Sequence, residues 1–245
     1  MNENHQNNKN AEKPLHFNIL TLFPDMFPGS LGHSLSGRAL EHNIWSYDAL
    51  NIRDFATDKH KTVDDTPFGG GAGLVMRADV IDKAINHIPN PKRGKMIYMS
   101  PRGMPLTQRK IEDLSSQSHL TILCGRYEGV DQRVLDAHEF EEISIGDYVL
   151  SGGEPAALIM MDACIRLLDG VMGNKETVSE ESFSLGSEGL LEYPHYTKPA
   201  LWQDGNGAEH VVPDILTSGN RGKVKEWRKN QSIELTKLRR PDLLK

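Results

Sequence analysis

The sequence predicts an α/β protein with a mostly parallel sheet, followed by a small helical C-terminal domain. Two observations carry this prediction. Short apolar runs of strand length alternate with segments of helical periodicity from about residue 15 to about residue 170, and the composition then becomes polar at Gly173. Strands that alternate with helices along a chain are typical of a parallel sheet covered by helices on both faces.

Strands are predicted where a few apolar residues stand together or alternate with polar ones. The first strand, 17–22, is followed by a Phe-Pro-Asp turn and a short helix from Met26. The second strand, 45–52, alternates in character. The remaining strands are predicted at 96–99, 120–124 and 142–145.

Helices are predicted where apolar residues recur at intervals of three or four. Segment 80–88 shows this most clearly, with apolar residues at 80, 81, 84, 85 and 88. Segments 35–42, 107–114 and 130–137 are predicted as further helices, and 155–168 as an amphipathic helix. Segment 53–76 has neither pattern, so we predict a loop that is rich in charge and glycine.

The composition excludes several classes of protein. With 25% charged and 38% hydrophobic residues, the chain is ordinary for a globular protein, and no apolar run approaches the roughly 20 residues that span a membrane. Residues 1–14 are polar and Asn-rich and lack the apolar core of a secretory signal, so we expect a disordered extension and a cytoplasmic protein. Cys124 and Cys164 fall in apolar elements, which predicts buried thiols, and no Cys/His spacing suggests zinc.

Beyond the predicted α/β domain, 15–172, lie a polar segment and a basic tail. Residues 173–190 have no periodic apolar stripe, so we predict a flexible interdomain linker. Residues 191–245 are predicted to form a helical domain, and from Arg221 to Lys245 there are nine Lys or Arg residues against three Asp or Glu. On a chain with a net charge of −6, such a stretch is either a solvated helix face or a local phosphate-binding surface.

Three predicted strands end in glycine-bearing loops, at 98–103, 125–129 and 146–154. Because the carboxyl ends of parallel strands meet at one edge of a sheet, we expect these loops to form a ligand crevice there. Glycine leaves the backbone free to approach a ligand closely. Charged residues in or beside these loops include Arg126, Glu128, Asp131 and Asp147.

The predicted loop before the second helix ends in the run Gly69-Gly70-Gly71-Ala72-Gly73. This run is not a Walker P-loop, because no Lys-Ser or Lys-Thr pair follows it. It is not a dinucleotide-binding GxGxxG motif either, because Met76 takes the place of the last glycine. On its own, the run is more typical of a flexible solvated loop.

Segment 121–154, TILCGRYEGVDQRVLDAHEFEEISIGDYVLSGGE, closely resembles the signature of the bacterial tRNA (guanine-N(1)-)-methyltransferases, which are knotted methyltransferases of the SPOUT class. Loop 52–76 and the tail match the family as well, so the resemblance covers roughly residues 15–245. It implies a deep trefoil knot, which no periodicity or spacing reveals. It also implies a homodimer with an active site shared between subunits, tRNA as substrate, and magnesium, for which the sequence offers no dedicated ligands.

The resemblance further implies that the three loops hold S-adenosylmethionine in a bent shape. The cofactor-binding residues implied are Tyr98, Met99, Ser100, Pro101, Gly125, Glu128, Ser144, Ile145, Gly146, Asp147, Tyr148, Val149, Leu150, Gly152 and Gly153. The implied tRNA-binding residues are Asp54, Lys59, His60, Ser182, Phe183, His195 and Arg228. We expect the basic residues of the tail to contact phosphates and not to read bases.

The implied activity is methylation of nitrogen 1 of the guanosine at tRNA position 37. This nitrogen carries a proton at neutral pH, so the reaction calls for a base, and for a cation or donor that stabilises negative charge on the 6-oxo oxygen. The resemblance implies Glu181 as the base and Arg166 as the cation. The family uses an aspartate in an Asp-Ser-Phe motif, whereas this chain has Glu181-Ser182-Phe183, which extends the carboxylate by about 1.5 Å.

Two other functions stay open at the level of the sequence. The first is a different knotted methyltransferase, acting on a ribose hydroxyl or on another base, against which the match through loop 52–76 and the tail argues. The second is a non-catalytic tRNA-binding protein that keeps the fold, with Glu181 as the inactivating change.

Overall fold

The computed structural model describes residues 14–173, 181–184 and 186–244. These residues form two compact units, 14–173 and 181–244. The predicted N-terminal extension, except for its last residue, lies outside the described residues, as does the part of the predicted linker from 174 to 180. Among the described residues, no helix combines the length and the apolar character that crossing a membrane requires.

The first unit is built on a parallel five-stranded sheet. The strands in chain order are β1 (Leu15–Thr21), β2 (Trp45–Asn51), the two-residue strands β3 (Asp64–Asp65) and β4 (Val75–Met76), β5 (Lys95–Pro105), β6 (His119–Cys124) and β7 (Glu141–Ser144). The sheet order is β2-β1-β6-β5-β7, and every neighbouring pair is parallel. Strands β3 and β4 form a separate antiparallel pair. The prediction of a mostly parallel sheet is therefore confirmed.

Helices cover both faces of this sheet. They are α1 (Ser34–Glu41), α2 (Ala78–His87), α3 (Gln108–Ser115), α4 (Gln132–Ala137) and α5 (Glu154–Ile165). Helices α1, α3 and α5 contribute to one hydrophobic core and α2 and α4 to the other. Successive side chains of a strand point to opposite faces of the sheet, so a buried strand contributes to both cores. Ile122 and Cys124 of β6 lie in the first core, and Leu123 lies in the second.

Two segments near the start of the chain differ from the sequence-based expectation. The short helix expected from Met26 is absent, and two 3-10 turns, Pro24–Met26 and Gly29–Gly32, occupy this region. Loop 53–76 is largely irregular as predicted, except for a 3-10 turn that starts at Ile52 and the short pair β3–β4. Proline and glycine in the first region favour tight turns over a continuous helix.

Strand β5 is longer than predicted, because it continues past a break in its pairing. Met99 and Met104 both pair with Ile143 of β7, so residues 100–103 are left outside the ladder. Gly103 lies against the backbone of β7, where a Cβ would collide with Glu142 and Ile143. A bulge of this kind changes the direction of the chain and often lies beside a functional site.

Helix α5 is not amphipathic, contrary to the prediction. Seven of its twelve residues are buried, including Glu154 at its first position. Its apolar residues lie in the first core, and it ends at Ile165 instead of residue 168. Its buried residues lie on one face, but the opposite face is largely apolar as well, with Ile159 50% exposed, so the polar face of an amphipathic helix is missing.

The second unit contains one long helix and a hairpin. Its elements are β8 (Leu201–Gln203), β9 (Glu209–Val211), α6 (Asp214–Thr217) and α7 (Arg221–Arg239). The helical prediction for 191–245 missed the antiparallel pair β8–β9. Its turn is closed by Asp204, whose carboxylate accepts hydrogen bonds from the backbone N–H groups of Asn206 and Ala208 at 2.9 and 3.0 Å. The sequence Asp-Gly-Asn-Gly at this turn is typical of a tight turn, and it could have indicated the hairpin.

Candidate active site

A cavity of about 300 Å³ lies at the carboxyl edge of the parallel sheet. Its walls are the bulge of β5 and the segments that follow β6 and β7, up to the start of α5. Backbone forms much of the wall, because glycines stand where side chains would not fit. A Cβ on Gly125 would lie 2.7 Å from the hydroxyl of Tyr98, and one on Gly153 would lie 2.8 Å from the Cα of Cys124.

The structure brings nearly all of the predicted cofactor-binding residues to this cavity. Those that line it are Tyr98, Met99, Ser100, Pro101, Gly125, Glu128, Ser144, Ile145, Gly146, Tyr148, Val149, Leu150, Gly152 and Gly153. Asp147 is the exception, since it is exposed and does not line the cavity. Ser144 fixes the turn after β7, because its hydroxyl accepts from the N–H of Gly146 at 3.2 Å.

Several lining residues were not among the predicted cofactor-binding residues. They are Arg102, Arg126, Tyr127, Gly129, Val130, Ile143, Ser151 and Ala156. Arg102 forms an ion pair with Glu142 at 3.1 Å. Val149 and Tyr148 leave much of their apolar surface exposed at the same edge, which suits contact with a ligand or a second chain.

Beneath the cavity lies a buried group of charged and polar side chains. Glu154, fully buried at the start of α5, accepts a hydrogen bond from the hydroxyl of Thr21 at 2.7 Å and lies 2.9 Å from Nη2 of Arg126. The guanidinium of Arg126 also donates to the carbonyl of Ser151 at 3.2 Å and lies over the ring of Phe23 at 4.4 Å. This network ties the ends of β1 and β6 to the turn that closes the cavity.

The hydroxyl end of Tyr98 lies where the loop after β6 turns. Burial raises the pKa of this phenol above its usual value, so the side chain stays a neutral donor at physiological pH. A Cβ on Gly129 would approach the same hydroxyl to 3.3 Å. Tyr98 therefore requires glycine at two positions of one loop.

The glycine run of loop 52–76 is joined to the cavity through its last residues. Backbone N–H groups of Glu128 and Met76 donate to the carbonyls of Leu74 and Gly129, each at 2.9 Å. Gly73 has a φ of +84° and packs directly against the Glu128 side chain. Movement of either loop is thus coupled to the other, while Phe68 at the tip of the run is almost fully exposed.

The predicted tRNA-binding residues of loop 52–76 lie away from the cavity. Asp54, Lys59 and His60 are exposed, and none of them lines it. Asp54 lies 3.5 Å from the ammonium of Lys61. Asp58 organises this part of the loop, since hydrogen bonds led by that from the Thr62 hydroxyl lower its carboxyl pKa.

The two predicted catalytic residues belong to different units. Arg166 follows the last residue of α5, its backbone N–H donates to the carbonyl of Asp162 at 3.1 Å, and its side chain is half-buried. Glu181 belongs to the second unit, where its carbonyl accepts from the N–H of Ser184 at 3.2 Å.

The other predicted linker residues are also held within the second unit. The hydroxyl of Ser182 accepts from the N–H of Glu192 at 2.8 Å. Phe183 has a φ of +67° and lies under the guanidinium of Arg240, 5.9 Å from its ring centre.

His195 and Arg228 line a separate cavity of about 350 Å³ within the second unit. Arg228 lies over the ring of Tyr193 at 4.7 Å. Nε2 of His195 lies 2.9 Å from the carboxylate of Glu192. Both residues were predicted to bind tRNA, but nothing in the sequence indicated that they lie in one cavity.

Both cysteines are buried and free, as the sequence predicted. Burial raises the pKa of the Cys164 thiol to about 12, and that of Cys124 well above its usual value. Neither thiol is therefore a nucleophile at neutral pH. Cys124 instead packs at the end of β6, against the glycines that shape the cavity.

A parallel α/β sheet with a backbone-lined cavity at its carboxyl edge defines a ligand-binding α/β protein whose site lies where such sheets bind cofactors. Residues 15–245 match the family model described as tRNA (Guanine-1)-methyltransferase TrmD. The chain belongs to this family of enzymes.

Individual enzymes of this family are similar to the chain over most of its length. A tRNA (guanine-N(1)-)-methyltransferase of Mesorhizobium japonicum is 58% identical over 228 residues, which are 92% of this chain and 94% of the relative. Enzymes of the same name from Rhodospirillum rubrum and Wolbachia pipientis are 57% and 55% identical, over 92% of this chain and 90% and 95% of theirs.

Proposed function

We propose that this protein transfers a methyl group from S-adenosylmethionine to nitrogen 1 of the guanosine at position 37 of tRNA. Family membership supports the reaction, and the cavity at the sheet edge supports the site. The single observation that carries the assignment is that all the cofactor-binding residues implied by the family resemblance, except Asp147, line one cavity.

The size and the lining of the cavity support the proposed cofactor. Its volume is at the lower end of the range for small-molecule sites. Glycines keep the wall open where a Cβ would fill it, which leaves N–H and C=O groups to bind polar parts of the ligand. The carboxylate of Glu128 is exposed at the mouth, where it can pair with a positive charge.

S-adenosylmethionine supplies an electrophilic methyl group, so this chain needs no nucleophile of its own. Two proton and charge tasks remain for the protein. Glu181 accepts the proton from nitrogen 1 of guanine, and Arg166 stabilises the negative charge that grows on the 6-oxo oxygen. Holding the base in line with the methyl group contributes much of the rate.

A trefoil knot and a homodimer belong to the same proposal. The knot rests on membership of the family. Beside the cavity, Gly103 lies in backbone contact with β7, where a Cβ would collide with Glu142 and Ile143. The turn after β7 is also tied to the turn after β6, since the N–H of Gly153 donates to the carbonyl of Gly125 at 2.9 Å. The dimer would bring Glu181 and the tail of one subunit to the cavity of the other.

The domain roles follow from this arrangement. Residues 15–172 would bind the cofactor, 173–190 would be the linker that carries the base, and 191–245 would bind tRNA in the cytoplasm. Asp54, Lys59, His60, Ser182 and Phe183 would contact the substrate near the target base. Within the described residues no group of His, Cys, Asp or Glu side chains is arranged to hold a metal ion, and we assign no step to magnesium.

Methyl transfer from labelled S-adenosylmethionine to a tRNA transcript with guanosine at position 37 tests the proposal. A transcript with adenosine at this position and the Glu181→Gln enzyme are the matched controls. We expect incorporation with the first transcript and its loss in both controls.

Each alternative result has a distinct meaning. Incorporation into the adenosine transcript would indicate another target nucleotide. Incorporation by Glu181→Gln at the wild-type rate would place the base on another residue. Binding of tRNA without incorporation would favour a non-catalytic tRNA-binding protein.

A further inference from the structure

The cavity of the second unit has a wall of aromatic and cationic side chains. Its lining includes the rings of Tyr193, Tyr196 and Trp227, together with His195, Lys198 and Arg228. No Asp or Glu stands among its lining residues, all of which the structure describes. With a volume of about 350 Å³, the cavity has the size of a small-ligand site and not of a packing defect.

Helix α7 supplies one wall of this cavity through a single face. Val224, Trp227 and Arg228 stand three and four positions apart and all line it. Further along the same face, Ser232 and Thr236 are buried, and the Thr236 hydroxyl accepts from the N–H of Leu191 at 3.0 Å. The buried part of the helix anchors it, so the residues of the cavity wall are held in place by the packing of the unit.

The guanidinium of Arg228 is prepared for a ligand. Its Nε is buried and has no hydrogen-bond partner among the described residues, although a buried donor normally finds one. Its Cζ lies 4.7 Å from the centre of the Tyr193 ring, which holds the guanidinium in place. The Arg228 side chain also lines the cavity, so its cationic group is placed to bind a phosphate or a base edge of a ligand there.

Aromatic surface is exposed in the same cavity. Tyr196 is 48% exposed and lies 6.2 Å from the ring of Trp227. Exposed rings beside cations form the arrangement by which proteins bind unstacked RNA nucleotides, with the base on the ring and the phosphate on the cation.

We propose that this cavity binds one unstacked nucleotide of the tRNA, at a position other than the methylated guanosine. The base would stack on Tyr196 and Trp227, and Arg228 and Lys198 would bind its phosphate. The second unit would then recognise a local RNA conformation, beyond the phosphate contacts expected from its charge. This inference rests on the proposed function for the identity of the RNA, but not on catalysis.

Equilibrium binding of the full-length protein to a tRNA transcript tests the proposal. We expect Tyr196→Ala to weaken binding roughly 5- to 100-fold, which is the effect of losing one base stack. Tyr196→Phe keeps the ring and should bind like the wild type. The slope of affinity against salt concentration should not change in Tyr196→Ala, because no phosphate contact is lost.

Lys237→Ala is the matched control on the same helix. Lys237 is exposed in the last turn of α7 and does not line the cavity. If it contacts a phosphate, its replacement lowers the salt slope by about one. An unchanged far-ultraviolet circular dichroism spectrum and unchanged thermal unfolding of the full-length protein would show that each variant is folded.

A photo-crosslinking residue in place of Tyr196 gives a second test in which an aromatic ring is retained. Crosslinking to a single tRNA nucleotide would support the proposal. Crosslinking to a protein segment, or to many nucleotides without preference, would overturn it. So would a Tyr196→Ala enzyme that binds tRNA within twofold of the wild type.

The outcomes separate this inference from the proposed function. A wild-type enzyme that methylates guanosine 37, combined with an unaffected Tyr196→Ala variant, would refute the nucleotide site alone. A wild-type enzyme without methyl transfer, but with tRNA binding that depends on Tyr196, would refute the proposed reaction and retain the site.

Discussion

Replacement of Glu154 by glutamine is expected to destabilise the first unit and to weaken cofactor binding. Glu154 is fully buried and lies 2.9 Å from the Arg126 guanidinium, so the change leaves a buried cation without its counter-charge. Removal of one partner from a buried ion pair typically costs about 3–5 kcal/mol. The Arg126 side chain is 18% exposed and can recover some hydration, so we expect about 3 kcal/mol, the lower end of that range.

The effect on the cofactor follows from what Arg126 supports. Its guanidinium donates to the carbonyl of Ser151 and packs under Gly152, where a Cβ would collide with it. Without Glu154 the arginine is free to move, and the turn at 151–153 loses its support. A shift of this turn changes the cavity wall, so the dissociation constant of S-adenosylmethionine should rise.

Thr21→Val provides a partner for a double-mutant cycle. The Thr21 hydroxyl donates to Glu154 at 2.7 Å and accepts from the N–H of Phe23 at 2.9 Å. Loss of a hydrogen bond to a charged group typically costs about 1.5–3 kcal/mol. Because both changes act on one network, their effects should fall short of additivity by about 0.5 kcal/mol or more.

Unfolding in urea measures the change in stability. The fluorescence reports Trp45 in the first unit when Trp202 and Trp227 of the second unit are replaced by phenylalanine in every variant. Glu142→Gln is the control. The Glu142 carboxylate pairs with Arg102, which is largely exposed, so this ion pair should contribute only about 0–1 kcal/mol to the free energy of unfolding. A Glu154→Gln enzyme that matches this control in stability and the wild type in cofactor affinity would refute the supporting role of the network.

Three further predictions concern catalysis, the cavity wall and pH. Glu181→Asp should retain methyl transfer within about 100-fold of the wild type, the cost of displacing a reacting group by ~1 Å, whereas Glu181→Gln should lose it in single-turnover assays. Gly125→Ala should abolish measurable cofactor binding in calorimetry while leaving the far-ultraviolet circular dichroism unchanged, because the new Cβ would lie 2.7 Å from the Tyr98 hydroxyl. The hydrogen bond from Arg133 lowers the pKa of Asp131, so Asp131 stabilises the fold above its unfolded pKa of about 3.9 and this contribution disappears as pH falls through the lower folded pKa. The stability difference between wild type and Asp131→Asn should shrink over that window, and a difference independent of pH would contradict the assignment.

Much of the fold could be predicted because it depends on local pattern. The strand at 120–124 is apolar except for Thr121 and is followed by glycine, and the helix at 80–88 has an unbroken apolar face. Both predictions agree with the structure to within a few residues. Glycine-bearing strand ends indicated the cavity for the same reason, since parallel strands bring their carboxyl ends to one edge. The resemblance named the lining residues, but it could not give their geometry.

Other features depend on contacts between distant parts of the chain. The sequence indicated a break of β5 at 98–103, but the continuation of the strand to Pro105 depends on pairing with β7, about forty residues later. Glu154 and Arg126 each look like an ordinary loop charge in the sequence, and only the packing of α5 against β1 and β6 buries them together.

The cavity of the second unit shows most plainly which features can be recognised in the sequence and which depend on folding. A basic tail with aromatic residues could be recognised from composition, because composition is a local property of the chain. That Tyr196, Trp227 and Arg228 share one cavity depends on folding, since a segment near residue 195 must pack on a helix thirty residues further on. Charge can be counted along a chain, whereas the burial of a guanidinium beside an exposed ring exists only after the chain has folded.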